Sequence, residues 1–261
     1  MRIATWNVNS VRLRLEQLGR IDEALRPDVL CLQETKVSDN LFPHDAFTAL
    51  GYAHVAALGQ KSYNGVAIAS RRPLTDVTTR NWCGREDCRH LIATIDGLEV
   101  HCLYVPAGGD IPDPEANEKF AHKLAFLDAV TTWFADQSGD GVPRVLLGDF
   151  NIAPLESDVW SHRQMLKVVS HSPVEIAKAG ELQTSLAWLD AVRHFIPPSQ
   201  RLSTWWSYRS ADWKSSDRGR RLDHIWVTPE LAPRLVGAEI FPESRGWQPA
   251  SDHVPVLVEL S

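Results

Sequence analysis

No stretch of this chain holds the eighteen or so consecutive apolar residues that a membrane-crossing helix needs, and the opening Met1-Arg2-Ile3-Ala4-Thr5-Trp6-Asn7 turns polar at once. The expectation is a protein neither membrane-spanning nor secreted through a signal peptide. Cysteine is scarce: four residues, with Cys31 and Cys102 inside apolar runs and Cys83 and Cys88 flanking Gly-Arg-Glu-Asp. That pattern excludes a disulfide framework and points to free thiols in a reduced, cytoplasmic compartment. A zinc site built from Cys83, Cys88, His90 and His101 is the weaker alternative, because its spacing is loose and no second close pair exists. Also missing are G-x-S-x-G, G-x-x-x-x-G-K-[ST], H-E-x-x-H and a G-x-G-x-x-G that opens a helix. Their absence removes the nucleophile elbow, the phosphate loop, the zincin helix and the dinucleotide turn.

What is present is ordinary in bulk and uneven in detail. With 261 residues, 44% apolar and 23% charged, the composition is that of a globular protein, and a chain of this size buries about three quarters of its unfolded surface. The net charge of −6 (27 basic, 33 acidic) argues against a global positive field for nucleic acid. Between Arg193 and Arg221, however, seven basic residues stand against two acidic ones, a local +5 that leaves −11 elsewhere. Trp205, Trp206, Tyr208 and Trp213 interleave with these cations. A merely solvated face has no use for such aromatics, whereas gripping a backbone and stacking a base requires both kinds of residue.

Apolar runs ending in polar clusters predict strands over 2–9, 28–34, 65–70, 90–96, 99–106, 144–151, 222–228 and 253–260. Helical spacing of Val11, Leu15, Leu18, Ile21 and Leu25 predicts one helix, which stops before Pro27. Phe120, Leu124, Leu127 and Phe134 predict another, ending near Gly139. Each helix lies between two strand signals, so the halves look alike. Two facing sheets covered outside by helices would hold both halves in one domain over residues 1–261, since no Pro/Gly/Ser linker separates them. Residues 153–198, rich in Trp, His and Pro, read as helices and loops over one end.

Polar residues recur where the apolar pattern predicts burial. They are Asn7 and Asn9, Glu34, Tyr104, Asp149 and Asn151, Asp223, and the pair Asp252-His253. Singly, each is explained as a turn residue, a cap or a paired charge. Collectively, several carboxylates with Asn and one His make a hard-oxygen site for magnesium or manganese, at which a phosphoryl oxygen could share the metal.

Six motifs, Thr5-Trp6-Asn7-Val8-Asn9, Leu32-Gln33-Glu34-Thr35-Lys36, Tyr104-Val105-Pro106, Gly148-Asp149-Phe150-Asn151, Arg221-Leu222-Asp223 and Ser251-Asp252-His253-Val254-Pro255, resemble in order those of the exonuclease III family of apurinic/apyrimidinic endonucleases. The resemblance implies the endonuclease/exonuclease/phosphatase fold, a four-layered α/β sandwich of two facing mixed sheets flanked by helices. It also implies a Mg2+- or Mn2+-dependent DNA-repair hydrolase, an endonuclease at abasic sites with 3′-5′ exonuclease and 3′-phosphatase activity. Its partner would be double-stranded DNA carrying abasic sites or blocked 3′ ends, met by a monomer in the cytoplasm. Glu34 would be the principal metal ligand, with Asn7, Asp252 or the Asp149/Asn151 pair completing one or two ion positions. Asp149 would orient or deprotonate the attacking water, Asn151 would hold it, and Asp223 would polarise His253 against the phosphate. Tyr104 would lie at the scissile phosphate; the related deoxyribonuclease I branch has a histidine there. Lys36 would steady the metal-site carboxylates, Trp205 would meet the extruded sugar with Trp206 and Tyr208 continuing the patch, and Arg209 would also bind the substrate.

One departure stands out. After Tyr104-Val105-Pro106 the family typically offers an amide side chain, whereas here Ala107, Gly108 and Gly109 follow. Backbone N–H groups of the glycines are the expected substitutes. Two other readings follow from the same likeness: a catalytically altered RNA- or DNA-binding regulator of this fold, and a phosphodiesterase acting on substrates other than DNA. The complete carboxylate set weighs against the first; Tyr104 and the aromatic-basic segment weigh against the second.

Overall fold

The computed structural model describes residues 1–210 and 212–261. Strands, numbered in chain order, are β1 (Arg2–Asn7), β2 (Val29–Gln33), β3 (His54–Gln60), β4 (Tyr63–Ser70), β5 (Thr75–Trp82), β6 (Arg85–Ile95), β7 (Leu98–Tyr104), β8 (Arg144–Asp149), β9 (Leu189–Asp190), β10 (Asp223–Val227), β11 (Leu235–Ile240) and β12 (Val256–Leu260). They form two six-stranded sheets, β11-β12-β1-β2-β4-β3 and β5-β6-β7-β8-β10-β9.

Side-chain alternation builds the layers. Ile3, Val29, Cys31 and Ile68 of one sheet meet Leu91, Val100, Cys102, Leu147 and Ile225 of the other in a dry central core. The intervening residues Ala4, Trp6, Leu30 and Leu32 face outward, where Leu18, Ile21 and Leu25 of the helix Leu15–Leu25 cover them. Across the molecule, Phe126, Val130 and Phe134 of the helix Glu118–Ala135 cover Leu103 and Leu146. Strands buried on both faces read as nearly continuous apolar runs, which is why these were legible in sequence. The strands at β3, β5, β9 and β11 gave no such signal, because β5 is exposed along most of its length and β3 and β11 are half-buried or exposed. No described helix is long and apolar enough to cross a membrane. The four cysteines are unpaired thiols.

Chain direction then fixes where function can sit. β1 and β2 run parallel around the first helix, and β7 and β8 run parallel around the second. Parallel strands end together, and ligands of such sheets bind outside their carboxyl ends. Asn7, Glu34, Tyr104 and Asp149 therefore arrive at one end of the sandwich. β10 and β12 enter antiparallel, so their amino ends reach the same place; Asp223 lies in register with Asp149.

Candidate active site

Four polar residues near these strand ends hold left-handed backbone: Asn9 at φ 46°, Glu34 at 52°, Lys36 at 54° and Asn151 at 53°. Asn tolerates this conformation; Glu and Lys pay for it, and such strain persists where surrounding structure imposes it. The turn at Glu34 is imposed by backbone bonds from Ser10 N to Glu34 O at 2.7 Å and from Thr35 N to Gly65 O at 3.2 Å. Gly148 answers a different need. A Cβ there would stand 1.9 Å from the Leu103 carbonyl, so only glycine lets β8 lie beside β7 and deliver Asp149.

The delivered side chains form one hydrogen-bonded constellation. Asn7 Nδ2 donates to Glu34 Oε1 at 3.0 Å and to Asp149 Oδ2 at 2.9 Å, joining the two sheets. The Tyr104 hydroxyl donates to Glu34 Oε1 at 2.7 Å, and Lys36 Nζ reaches Glu34 Oε2 at 2.7 Å and Asn9 Oδ1 at 2.6 Å. Burial pushes the Glu34 carboxyl up, but Lys36, Asn7 and Tyr104 outweigh it and hold the group below its ordinary value. Burial and the facing carboxylates drive Tyr104 well above the usual phenol range, so it stays a neutral donor.

Asn151 donates its backbone N–H to Asp149 Oδ1 at 2.9 Å, and its amide reaches Val105 O at 2.9 Å and Asp149 Oδ2 at 3.2 Å. His253 Nδ1 pairs with Asp223 Oδ2 at 2.9 Å, leaving Nε2 3.6 Å from Asp149 Oδ2. Burial alone would lower His253, yet Asp223 and Asp149 raise it to about 10. Burial raises Asp149 to about 7; His253 opposes that shift while Asp223 adds to it. Thr204 steadies the pair, its hydroxyl donating to Asp223 Oδ2 at 2.6 Å and accepting from the N–H groups of Leu222 and Asp223.

Glu34, Tyr104, Asp149, Asn151 and His253 floor a cleft of about 800 Å³, while Asn7, Thr204 and Asp223 are buried behind them. Trp205 stands in its wall, with Nε1 donating to Asp252 Oδ2 at 2.9 Å and Asn9 donating to Asp252 Oδ1 at 3.0 Å. Trp160, Trp206, Arg209, Arg218 and Arg220 continue the wall. Ala107 and Gly109 lie on the rim, and Gly108, at φ 89°, sits where a Cβ would crowd Lys123 and Val169. The basic segment divides on inspection. Arg193 and Arg221 are buried structural cations held by Asp158 and Asp190, and Arg201 pairs with Asp217, so only part of the +5 stretch faces the cleft.

Sequence reading missed Thr204 and the buried pair Lys123–Glu175, and gave Ser251, though part of a motif, no role of its own. Ser251 Oγ donates to the Asn7 carbonyl at 2.7 Å. Lys123 Nζ donates to Asn151 O at 2.8 Å and to Glu175 at 2.5 Å, so a lysine within a helix ties down the loop behind Asp149. A lysine in a helical pattern reads as a surface residue, and nothing local marks it otherwise. Replacing Lys123 with Met strands the buried Glu175 and should cost about 3–5 kcal/mol, read as a Tm fall on the order of 10 °C. A change of less than about 1 kcal/mol in denaturant melts would show the pair to be dispensable.

Among the described residues, the one group of His, Cys, Asp and Glu close enough to share an ion is Asp149, Asp223 and His253, whose ligand atoms lie within 4.8 Å of one another. The family model described as Endonuclease/Exonuclease/phosphatase family matches residues 4–253. Exodeoxyribonuclease III of Haemophilus influenzae is 30% identical over 99% of both chains. The chain belongs to the exonuclease III family. Within it, an AP endonuclease from Archaeoglobus fulgidus superposes with TM-score 0.92 at 33% identity, covering 100% of this chain and 99% of that one. The 3′ phosphatase NExo from Neisseria, solved with a product DNA hairpin, superposes at 0.91 with 34% identity over 100% and 99% of the two chains. The four-layered sandwich expected from the motifs is thus the fold of this exonuclease III family member.

Proposed function

We propose that this member of the exonuclease III family is a metal-dependent DNA-repair phosphodiesterase, cutting duplex DNA at abasic sites and clearing nucleotides and blocking groups from 3′ ends. The observation that carries this reading is the convergence of Glu34, Tyr104, Asp149, Asn151 and His253 on one aromatic-walled cleft, with the buried Asn7 and Asp223 hydrogen-bonded to them from behind. Such a set contains a water-activating carboxylate, a fixed cation and neutral donors, which is what phosphoryl transfer asks of a protein.

Asp149, poised near neutrality, takes the proton of a water that the Asn151 amide helps to place. His253 carries a proton at neutral pH, held by Asp223, and meets the negative charge that grows on the phosphoryl oxygens. Tyr104, kept neutral, can donate to a phosphoryl oxygen or to the departing 3′ oxygen. The bond from phosphorus to O3′ breaks as the water oxygen adds, leaving a 3′-hydroxyl.

The donor set fits a hard divalent cation, since it holds carboxylate and amide oxygens and no thiolate. With His253 Nδ1 engaged by Asp223 and Nε2 facing Asp149, we place the cation on the Glu34 side of the site. There Glu34, Asp252 and Asn7 would hold magnesium or manganese; Asn7 now turns its nitrogen to the carboxylates, and a rotated amide presents Oδ1. The ion would supply Lewis-acid charge to a phosphoryl oxygen.

The test is nicking of an end-labelled duplex with one abasic site, run beside 3′-phosphate and 3′-hydroxyl ends. Excess EDTA should abolish every activity, and magnesium or manganese should restore it; undiminished cleavage in EDTA defeats the metal reading. Glu34→Ala should raise the metal concentration required more than it weakens DNA binding, and the reverse would reassign the ligand.

A further inference from the structure

Most buried cations of this molecule have an anion beside them. Arg221 meets Asp158 and Asp190, Arg193 meets Asp158, Arg144 meets Glu99 and Asp140, and Lys123 meets Glu175. Arg220 has no carboxylate bridge among the described residues. Its two hydrogen bonds both leave Nη1, to Val169 O at 3.2 Å and Ser170 Oγ at 2.9 Å, while Nε is buried without a partner. Burial lowers its pKa, and only the already paired Glu175 opposes that. Arg14 and Arg245 also lack carboxylates, but they donate to the carbonyls of Asn9, Ala250, Trp206 and Ser207 and do not line the cleft.

The guanidinium is also held in place. It lies over the Trp205 ring at 5.0 Å, and its backbone N–H donates to Trp205 O at 3.0 Å, fixing it in the cleft wall beside the catalytic floor. Leaving a charge half-desolvated and unpaired costs free energy unless an anion arrives to meet it. The wall that a neutral sugar would meet as bare indole is therefore capped by a cation. Van der Waals contact with Trp205 remains, but the site gains a term that a neutral guest cannot use.

We propose that Arg220 is a specificity-determining anion receptor, favouring 3′ ends that bring extra negative charge into the cleft over the neutral sugar of an internal abasic site. The ends meant are a dianionic terminal phosphate and a phosphate esterified by the carboxylate-bearing glycolate group. In both, water adds to phosphorus, the bond to O3′ breaks and O3′ takes up a proton, releasing phosphate or phosphoglycolate. The inference rests on the phosphodiesterase reading above and names which ends that site prefers.

Two measurements test it on the full chain. In EDTA, fluorescence anisotropy compares duplexes ending in 3′-hydroxyl, 3′-phosphate and 3′-phosphoglycolate; in magnesium, single-turnover cleavage adds an internal tetrahydrofuran abasic analogue. Wild type should bind the anionic ends about tenfold tighter than the hydroxyl end, the scale of one charge-assisted hydrogen bond. Arg220→Leu should erase that ratio and slow cleavage of anionic ends at least tenfold, with less than threefold loss on the abasic analogue. Arg220→Gln, which keeps hydrogen bonding and drops the charge, should also lose the ratio, and it serves if the Leu variant fails to fold. An equal loss on all substrates, or an unchanged binding ratio in either folded variant, overturns the role of Arg220. A wild-type protein that cleaves none of the four overturns the phosphodiesterase reading instead, with the binding ratios still judging Arg220.

Discussion

Asp149→Asn should lower kcat by at least ~10²-fold while DNA binding survives, a barrier increase of about 2.7 kcal/mol. The substitution preserves shape and the acceptor for the Asn151 N–H, at 2.9 Å in the native chain, but removes the carboxylate we propose as the acceptor of the water's proton. Asp149 suits that task because burial has pushed it to about 7, so that its basic form is both populated at neutral pH and strong enough to accept a proton. Single-turnover kinetics at saturating DNA, with binding measured in EDTA, separates chemistry from affinity. Turnover near wild type would move the base elsewhere in the cleft.

His253→Ala and Asp223→Ala should each cost at least ~10²-fold in kcat/KM, and the double variant should be little worse than either, because the two act as one unit. Asp223, in its 2.9 Å bond to His253, leads the groups that keep the imidazolium protonated; without it burial is opposed only by Asp149 and Asp252, and the pKa falls. Losses that add would break the pair. The same bond carries a stability signature. His253 is raised from its ordinary 6.5 to about 10, so its contribution is fully present below about pH 6.5 and is lost as pH rises through about 10. Asp149, also raised, acts in the same direction, losing its share as pH rises from its ordinary 3.8 through about 7. The Tm of metal-free protein should therefore fall between pH 6.5 and 10, and the fall should flatten in His253→Ala. Parallel slopes for the two proteins would refute the assignment.

Glu34 illustrates how far a one-dimensional reading reaches. Its motif, Leu32-Gln33-Glu34-Thr35-Lys36, marks a carboxylate after a buried strand, and the resemblance gives it a metal. Nothing in that string shows the left-handed turn at φ 52°, the Tyr104 hydroxyl from the other sheet, or the Asn7 amide spanning Glu34 and Asp149. The basic segment runs the other way. Its charge count promised a DNA-facing stripe, yet Arg193 and Arg221 turned inward to Asp158 and Asp190, while Arg220, undistinguished in the string, was left without a counter-ion.

By itself the sequence determined the two strand-helix-strand halves and the polar residues at their ends, because doubly buried strands must be apolar and covering helices amphipathic. Those are local constraints, written at spacings of two and 3.6 residues. Only the tertiary structure decided which charges are answered and which are free, because Asp149, Asp223 and His253 meet across chain separations that no periodicity encodes. A pKa of about 7 for Asp149 and about 10 for His253 arises from burial and a few ångströms of separation between facing groups. Coulomb energies of that kind belong to the packed sandwich and do not exist along the chain.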